Sequence, residues 1–336
     1  MVGINRILLI LTGGTIGSFI NSNNTIEPSK EPLILSICKD EISHINFDII
    51  EPFTLLSENI TLKDREILIK TILHTDLSNY DGVIVTHGSD TLTYTASLVG
   101  MALRHIKIPI VFVAADLVLN DKNSNGKNNF LSAIDFIYDK KIKQGTFICY
   151  KDKNNENSVY LSTRLCEAEP FFDTFHPFDS ARLGYTLNGN FIYEENRYNP
   201  TIEEINSEKE CILPKVFSLD NTVSMLHSSP VFDYLRYDTV GLSAVLNYGY
   251  HSATVNEYCF HKFIRNCRST NTDIYLASFK DKESPIYDSL SKIVKYQNVH
   301  RMYNISPESA VSKLILAYSI DKSLINKNLF YEEIPR

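Results

Sequence analysis

Short apolar runs alternate with helix-length amphipathic segments through the first two hundred residues of the chain. Each run is rich in leucine or β-branched residues and ends at polar or glycine-containing turn residues, as buried strands do. A parallel sheet covered by helices on both faces produces this alternation. The sequence therefore predicts an α/β fold, with strands at 7–11, 82–86, 108–114 and 146–150.

Helices are predicted between these strands. One is expected to begin at Thr61, because its hydroxyl can cap the first turn while Asp64, three residues later, reaches back to the helix start. Two others are expected at about 91–104 and at 128–141, where apolar residues recur at helical spacing.

The pattern of the chain also predicts two domains, in line with its length of 336 residues. Near Gly184 the alternation gives way to a glycine- and asparagine-containing stretch typical of a hairpin, and then to polar residues without helical period. Beyond it the α/β pattern returns on a smaller scale and ends in a helix that Ser306 can cap. We predict a large N-terminal domain with a mostly parallel sheet flanked by helices (1–188), a linker (189–213) and a smaller α/β domain (214–336).

Charge and residue spacing exclude several kinds of protein. With 33 basic and 40 acidic residues the net charge is −7, which gives no electrostatic attraction for nucleic acid. The six cysteines form no Cys-x-x-Cys pair, and the nine histidines form no helix pair of the zinc-binding type. We therefore expect no metal, no other cofactor and no nucleic-acid partner.

The apolar run at 7–11 is too short to span a membrane. It leads directly into Thr12, Gly13, Gly14 and Thr15 rather than into a small-residue cleavage site. We expect a buried strand here, no membrane association and a cytoplasmic protein.

Two short motifs follow predicted strands at the edge where an α/β sheet binds its ligands. The first reads Thr-Gly-Gly-Thr-Ile-Gly at 12–17, and the second reads Thr-His-Gly-Ser-Asp-Thr at 86–91. Loops converge at the carboxyl ends of parallel strands, where free backbone N–H groups can contact a ligand. The glycines of the first motif permit a sharp turn that leaves Thr15 exposed as a candidate nucleophile, although a tight turn with a capping threonine explains the motif equally well.

In this order the two motifs resemble the paired signatures of the bacterial-type L-asparaginase/glutaminase family, Thr-Gly-Gly-Thr-Ile and Thr-His-Gly-Thr-Asp-Thr. Three further segments are similar to parts of that family. The segment 52–61 resembles its substrate-carboxylate loop, 127–133 the helix after its third strand, and 181–184 the end of its large domain. The resemblance extends over nearly the whole chain and is weakest after residue 200.

The resemblance implies catalytic roles for individual residues. The Thr15 hydroxyl would attack the substrate amide, and Ser89 would replace the family's second threonine, which helps to move protons. Gly14 and Gly88 would lie against the substrate. A threonine or serine hydroxyl is a weak nucleophile unless a base lies within hydrogen-bond reach.

The resemblance also implies a binding site for a zwitterionic amino acid. Ser57 would hold the α-carboxylate of the substrate, and Glu58 and Asp90 would hold its ammonium group. Structural interpretations stay open for all three: Asp90 can cap the following helix, Ser57 can be a turn residue, and Glu58 can be a solvated surface charge.

The lysine that completes the family's proton relay has no obvious counterpart. Arg164, after Thr163, is the candidate replacement, and an ungapped count places Cys166 there instead. Arginine stays protonated in proteins, so it can hold a carboxylate or an oxyanion but cannot act as a general base. Alternatively, Arg164 pairs structurally with Glu167 or Glu169.

Other helper residues also differ from the family. The loop at 19–30 contains no tyrosine to close over the substrate, and Phe19 and Thr25 are the nearest candidates. Asp116 places a negative charge beside the expected pocket, and the loop at 247–252 lacks the family's glycine-asparagine pair.

The leading hypothesis is an asparaginase-like amidohydrolase that converts a side-chain carboxamide to the acid and ammonia through Thr15, with Ser89, Asp90 and Arg164 as catalytic helpers. The expected substrate is a small amino-acid amide or a peptide asparagine, and the family resemblance implies a homodimer or homotetramer. The alternative is a non-catalytic amino-acid-binding protein that has lost the relay lysine.

Overall fold

The computed structural model describes residues 5–23, 25–29, 32–170, 172–178 and 182–335. The chain divides into two compact units, 1–212 and 213–336. Each unit has its own principal sheet. The predicted α/β fold class is confirmed, because parallel strands flanked by helices form the centre of both units.

The first unit is built on an eight-stranded sheet whose order is β12-β11-β8-β7-β6-β5-β1-β4. The strands β4, β1, β5, β6 and β7 are parallel to one another, while β8, β11 and β12 continue the sheet through antiparallel pairs. The strands of this unit are β1 (Arg6–Leu11), β2 (Ser18–Ile20), β3 (Ile26–Pro28), β4 (Asn46–Ile50), β5 (Gly82–Thr86), β6 (Pro109–Val113), β7 (Gly145–Lys151), β8 (Asn157–Leu161), β9 (Leu165–Cys166), β10 (His176–Pro177), β11 (Gly184–Leu187) and β12 (Asn190–Tyr193).

Burial explains why the central strands were predictable. Every residue of β5 and β6 is buried, as expected for strands covered on both faces.

The helices of the unit are α1 (Leu33–Ile37), α2 (Lys39–Ile42), α3 (Leu62–His74), α4 (Leu92–Ala102), α5 (Gly126–Asp139) and α6 (Ile202–Asn206). The predicted cap of α3 is confirmed: the Thr61 hydroxyl accepts from the Asp64 backbone N–H, and the Asp64 carboxylate accepts from the Thr61 backbone N–H.

The segment interpreted from the sequence as a linker, 189–213, contains ordered structure. Strand β12 pairs with β11 in the main sheet, and the ring of Phe191 is fully buried edge-on against Phe136. Helix α6 follows, with a capping box between Thr201 and Glu204. The division between the units falls after Ile212, because these elements pack within the first unit.

The second unit is a four-stranded parallel sheet in the order β13-β14-β15-β16. Its core is aromatic, since Tyr234 packs against Phe260 and Phe263. The predicted cap of the last helix is confirmed, because the Ser306 hydroxyl accepts from the Ser309 N–H. The elements are β13 (Val223–His227), β14 (Ala244–Tyr248), α7 (Glu257–Ser269), β15 (Asp273–Phe279), α8 (Asp288–Ile293), β16 (Val299–Tyr303) and α9 (Pro307–Ser319).

Candidate active site

The first motif forms a tight turn at the carboxyl end of β1. Gly13 and Gly14 have φ angles of 99° and 77°, in the left-handed region that favours glycine. Leu55 lies against this turn: its N–H donates to the Thr12 carbonyl over 3.1 Å, and its carbonyl accepts from the Gly14 N–H over 3.1 Å. Thr15 then begins a short 3-10 turn and is half-buried. The backbone that precedes Thr15 is therefore held by two hydrogen bonds to Leu55, one at the Thr12 carbonyl and one at the Gly14 N–H.

The second motif lies beside the first, because β5 is the neighbour of β1 in the sheet. The Thr12 hydroxyl donates to the Thr86 carbonyl over 2.7 Å and links the ends of the two strands. Gly14 and Gly88 touch through their backbones, since a Cβ on Gly14 would stand 2.3 Å from the Gly88 Cα. Ser89 opens a 3-10 turn that leads into α4, so its N–H is one of those left without an intrahelical partner.

Ser57 brings a third segment into this contact. A Cβ on Gly88 would stand 2.5 Å from the Ser57 Oγ. The Ser57 hydroxyl donates to an Asp90 carboxylate oxygen over 3.3 Å, and the Ser57 carbonyl accepts from the Thr91 hydroxyl over 2.9 Å. Ser57 is buried with 3% of its surface exposed. The loop at 52–61 is therefore joined to the second motif by both its backbone and a side chain.

The structure brings seven of the eight predicted site residues to one edge of the sheet. Gly14 contacts Gly88, Gly88 contacts Ser57, and Ser57 bonds to Asp90, while Thr15, Ser89 and Glu58 are direct chain neighbours of these residues. Thr15 and Ser89 are half-buried, while Glu58 and Asp90 are exposed. No cationic side chain of the described residues forms an ion pair with either carboxylate. Such unpaired carboxylates beside hydroxyls and a helix start can hold an ammonium group and an anionic oxygen together.

His87 is a site component that the sequence analysis did not single out. The ring is fully buried beneath the second motif, and its Nδ1 lies 2.8 Å from the Gly88 carbonyl oxygen. Burial lowers the pKa of His87 to about 4, so the ring is neutral and Nδ1 carries the proton that this carbonyl accepts. Its other nitrogen has no hydrogen-bond partner among the described residues. The available signal was its place in the second motif, where the family signature also has a histidine, between a buried strand and Gly88.

Arg164 lies away from this edge. Strand β8 runs antiparallel to β7 and places Leu161 beside Phe147, so the chain that follows leaves the sheet near the amino end of β7. The backbone N–H of Arg164 donates to the Leu161 carbonyl in that turn, and its buried guanidinium donates to the Tyr198 carbonyl. At about 3.3 Å per residue this turn begins roughly 10 Å along the sheet from the end of β5.

The other departures from the family also have defined places. Cys166 is buried in β9 and pairs with His176. The Asp116 carboxylate accepts from two backbone N–H groups of its own loop, those of Leu117 and Asn125. Phe19 lies in β2, and Thr25 lies in the turn between β2 and β3. Lys30 and Ala181, which fall in segments compared with the family, lie outside the described residues.

A cavity of about 510 Å³ opens between the β7–β8 loop and residues 172–177. None of the residues of either motif lines it. Its central cation, Arg182, is already held by Glu156 and Glu194 over 2.7 Å each. The candidate active site is therefore the motif edge and not this cavity. Within the described part of the chain no group of three or more histidine, cysteine or acidic side chains is arranged to hold a metal ion.

Comparisons with known proteins agree with the geometry. The family model described as asparaginase, N-terminal, matches residues 6–198. The chain is 24% identical over 240 residues to one of the subunits of glutamyl-tRNA(Gln) amidotransferase from Thermoplasma volcanium, covering 68% of this chain and 54% of that protein. It is 28% identical over 162 residues to L-asparaginase of Thermococcus kodakarensis, covering 48% of this chain and 47% of that one. The matched regions thus span about half the length of these curated relatives.

Two solved structures share the fold. The thermostable L-asparaginase from Thermococcus kodakarensis superposes with a TM-score of 0.76 at 18% identity, over 98% of this chain and 100% of that one. A probable cytoplasmic L-asparaginase from Campylobacter jejuni gives a TM-score of 0.73 at 18% identity, over 98% and 99%. Separately, no helix in the described residues is long and apolar enough to cross a membrane.

Proposed function

Because the chain belongs to the asparaginase family, we propose that it is an amidohydrolase that releases ammonia from the side-chain carboxamide of an amino acid or of a peptide asparagine. The observation that carries the proposal is the convergence of Gly14, Gly88 and Ser57 at the carboxyl edge of the large sheet. This contact joins the turn that carries Thr15, the start of the helix after Gly88, and the loop at 52–61, which resembles the family's loop for the substrate carboxylate. Each of the three supplies one part of a site for a zwitterionic amide.

Binding of the substrate depends on charges that the chain leaves unpaired. Asp90 and Glu58 supply two carboxylates for one ammonium group, and Ser57 offers a hydroxyl to the α-carboxylate. In the free protein the single O–H of Ser57 donates to Asp90, and this donor would turn to the α-carboxylate when the substrate binds. If neighbouring side chains hold the ammonium group and the α-carboxylate of the substrate, its amide carbon is fixed near Thr15. A weak nucleophile needs this positioning to react.

The reaction proceeds in two steps. The Thr15 Oγ bonds to the amide carbon, its proton passes by way of the Ser89 hydroxyl to the departing nitrogen, and the C–N bond breaks to release ammonia. The backbone N–H of Ser89, which has no intrahelical partner at the start of its turn, stabilises the oxyanion of the tetrahedral intermediate. Water then attacks the Thr15 ester, which returns the proton to Thr15 and releases the carboxylic acid.

Arg164 has no step in this mechanism, because its guanidinium is bound to the Tyr198 carbonyl at the far end of β8. The relatives named as part of a glutamyl-tRNA(Gln) amidotransferase extend the candidate amides to glutamine. We further propose that the protein is cytoplasmic and forms a homodimer or a homotetramer.

A second candidate is a binding protein that retains the amino-acid site without turnover. One observation favours it: within the described residues no cationic side chain pairs with Asp90, so a lysine-dependent proton relay is not assembled there. In this case the protein would bind aspartate or asparagine with no release of ammonia.

The test is ammonia release by the purified chain from asparagine, glutamine and an asparagine-containing peptide, with calorimetry for aspartate binding alongside. Thr15→Ala should lower the rate by at least about 10³-fold, since removal of a catalytic nucleophile has effects of this order or larger. Thr71→Ala is the matched control, because Thr71 is also half-buried and, among the described residues, its hydroxyl bonds only to the Ile67 carbonyl within α3.

Each outcome separates the candidates. Turnover that is lost in Thr15→Ala and kept in Thr71→Ala supports the proposal. Turnover that survives in Thr15→Ala removes Thr15 as the nucleophile. Aspartate binding without ammonia from any amide selects the binding protein.

A further inference from the structure

Ser18 closes the turn that contains Thr15. Its side chain is buried with 1% exposed, and its hydroxyl donates to the Gly14 carbonyl over 2.9 Å. Its backbone N–H donates to the Thr15 carbonyl. The Gly14 carbonyl also accepts from the Gly17 N–H over 3.0 Å. Two donors thus meet on the carbonyl that directly precedes the candidate nucleophile.

The peptide group between Gly14 and Thr15 is planar, so fixing its carbonyl also fixes the N–H of Thr15 and the direction in which the Thr15 Cα leaves the turn. Gly14 has φ 77° and ψ −179° and carries no side chain that could restrict rotation. The peptide is therefore restrained by packing of Gly14 against Gly88 and by the hydrogen bonds to its carbonyl. Of the two donors, the Gly17 N–H is part of the turn's backbone, and the Ser18 hydroxyl is the side-chain donor.

We propose that Ser18 is a positioning residue, which holds the Gly14–Thr15 peptide so that the N–H and hydroxyl of Thr15 face the substrate. Its catalytic consequence rests on the proposed function, while the restraint of the turn does not. Ser18 differs in this respect from Thr12, whose hydroxyl joins the two strand ends instead of acting within the turn.

A merely structural role is the competing interpretation. Ser18 is also the first residue of β2, and the Ser29 N–H donates to the Gly17 carbonyl over 2.8 Å at the base of the β2–β3 hairpin. If Ser18 only anchored this hairpin, its removal would lower stability without a specific effect on the chemical step.

The catalytic test compares Ser18→Ala with Ser132→Ala. Ser132 is likewise buried with 1% exposed, and its hydroxyl accepts from Thr186, away from the motif edge. Ser18→Ala should lower kcat by about 10- to 100-fold with KM within about threefold, because displacement of a reacting group by about 1 Å costs about this much. Ser132→Ala should leave kcat within about twofold. Ser18→Thr keeps the donor and should recover most of the loss in kcat.

The structural test is amide hydrogen exchange in the full chain, which needs no turnover. In Ser18→Ala the amide of Gly17, whose N–H donates to the Gly14 carbonyl, should exchange at least about tenfold faster than in wild type, and in Ser132→Ala it should not. Unchanged exchange overturns the proposal, as does unchanged kcat in Ser18→Ala when the wild type is active. A wild type without activity overturns the proposed function, and exchange then decides the role of Ser18 alone. If Ser18→Ala does not fold, exchange and kcat in Ser18→Thr must match wild type, and a loss there overturns the proposal.

Discussion

Asp90 and Asp273 lie at opposite ends of their strands, one beyond a carboxyl end and one at an amino end, and their surroundings also differ. Asp90, beyond β5, is exposed, with one long hydrogen bond from Ser57. Asp273, the first residue of β15, accepts from the Lys322 amine over 2.7 Å and the Tyr318 hydroxyl over 2.5 Å. Hydrogen bonds from His300, Lys322 and Tyr318 hold the pKa of Asp273 well below its usual range. An aspartate is thus accessible to a ligand in the first unit, and an aspartate is paired with side chains of the same chain in the second.

The second unit also contains a buried ion pair. The Lys313 amine lies 3.0 Å from a Glu332 carboxylate oxygen, and both side chains are fully buried. That carboxylate also accepts from the backbone N–H groups of Leu329 and Phe330. Where a charge has partners within the chain, its removal should cost stability. Where it has none, removal should cost binding or turnover.

The largest effect is expected at the buried pair of the second unit. Lys313→Met should lower the free energy of unfolding by about 3–5 kcal/mol, because Glu332 is then left as an unpaired buried charge. Urea unfolding of the full chain, followed by circular dichroism, measures the change. Lys292→Met removes an exposed amine paired with Asp288 and should have little effect. Equal losses in the two variants would show that burial does not decide the cost.

Asp90→Asn should instead act on binding. Loss of a charge-assisted hydrogen bond to the ammonium group should weaken the affinity for L-aspartate by about 1.5–3 kcal/mol, measured by calorimetry, with no loss of stability. Asp273→Asn is the matched control, because it removes a paired carboxylate and should lower stability while affinity stays unchanged. Parallel behaviour of the two variants would contradict the distinction between the two carboxylates.

Acid should destabilise the first unit before the second. His87 has a folded pKa of about 4, below the unfolded value of about 6.5, so its contribution to stability is complete above pH 6.5 and is lost as the pH falls toward 4. Between pH 7.5 and 5 this lowers the free energy of unfolding by about 2 kcal/mol. Hydrogen exchange of α4 amides should show it, and His87→Asn should remove most of it. His105, whose pKa burial also lowers, contributes with the same sign.

The paired carboxylate of the second unit responds at lower pH. Because the folded pKa of Asp273 is depressed, its contribution is present above the unfolded pKa of about 4 and is lost below it. Exchange of β15 amides should therefore stay constant between pH 7.5 and 5 after correction for the intrinsic rate. An equal loss of exchange protection in both units between pH 7.5 and 5 would contradict the predicted difference in their response to acid.

The residues that were predictable from sequence are those fixed by local rules. The interval 82–86 was predicted without error because each residue is buried and a turn follows, and Thr61 met the pattern of a capping box. The segment 189–213 was harder, since the short strand β12 shows no long apolar run and depends on Phe191 reaching Phe136. The neighbourhood of Arg164 depends on the direction of β8, which no residue count along the chain reveals.

Arg164 offers the smallest expected change in activity and the sharpest test of that placement. Its guanidinium is buried and donates to the Tyr198 carbonyl in the turn after β8, so at least one of its donors is engaged within the chain. Lysine at this position keeps the charge but loses the planar arrangement of donors. Arg164→Lys should therefore leave ammonia release within about twofold of wild type and lower the free energy of unfolding by about 0.5–1.5 kcal/mol, the contribution of a typical hydrogen bond. Ammonia assays and urea unfolding on the same preparation measure both. A rise in turnover would mean that a titratable amine at this position reaches Thr15 or Ser89, and Arg164 would then join the motif edge as a participant in proton transfer.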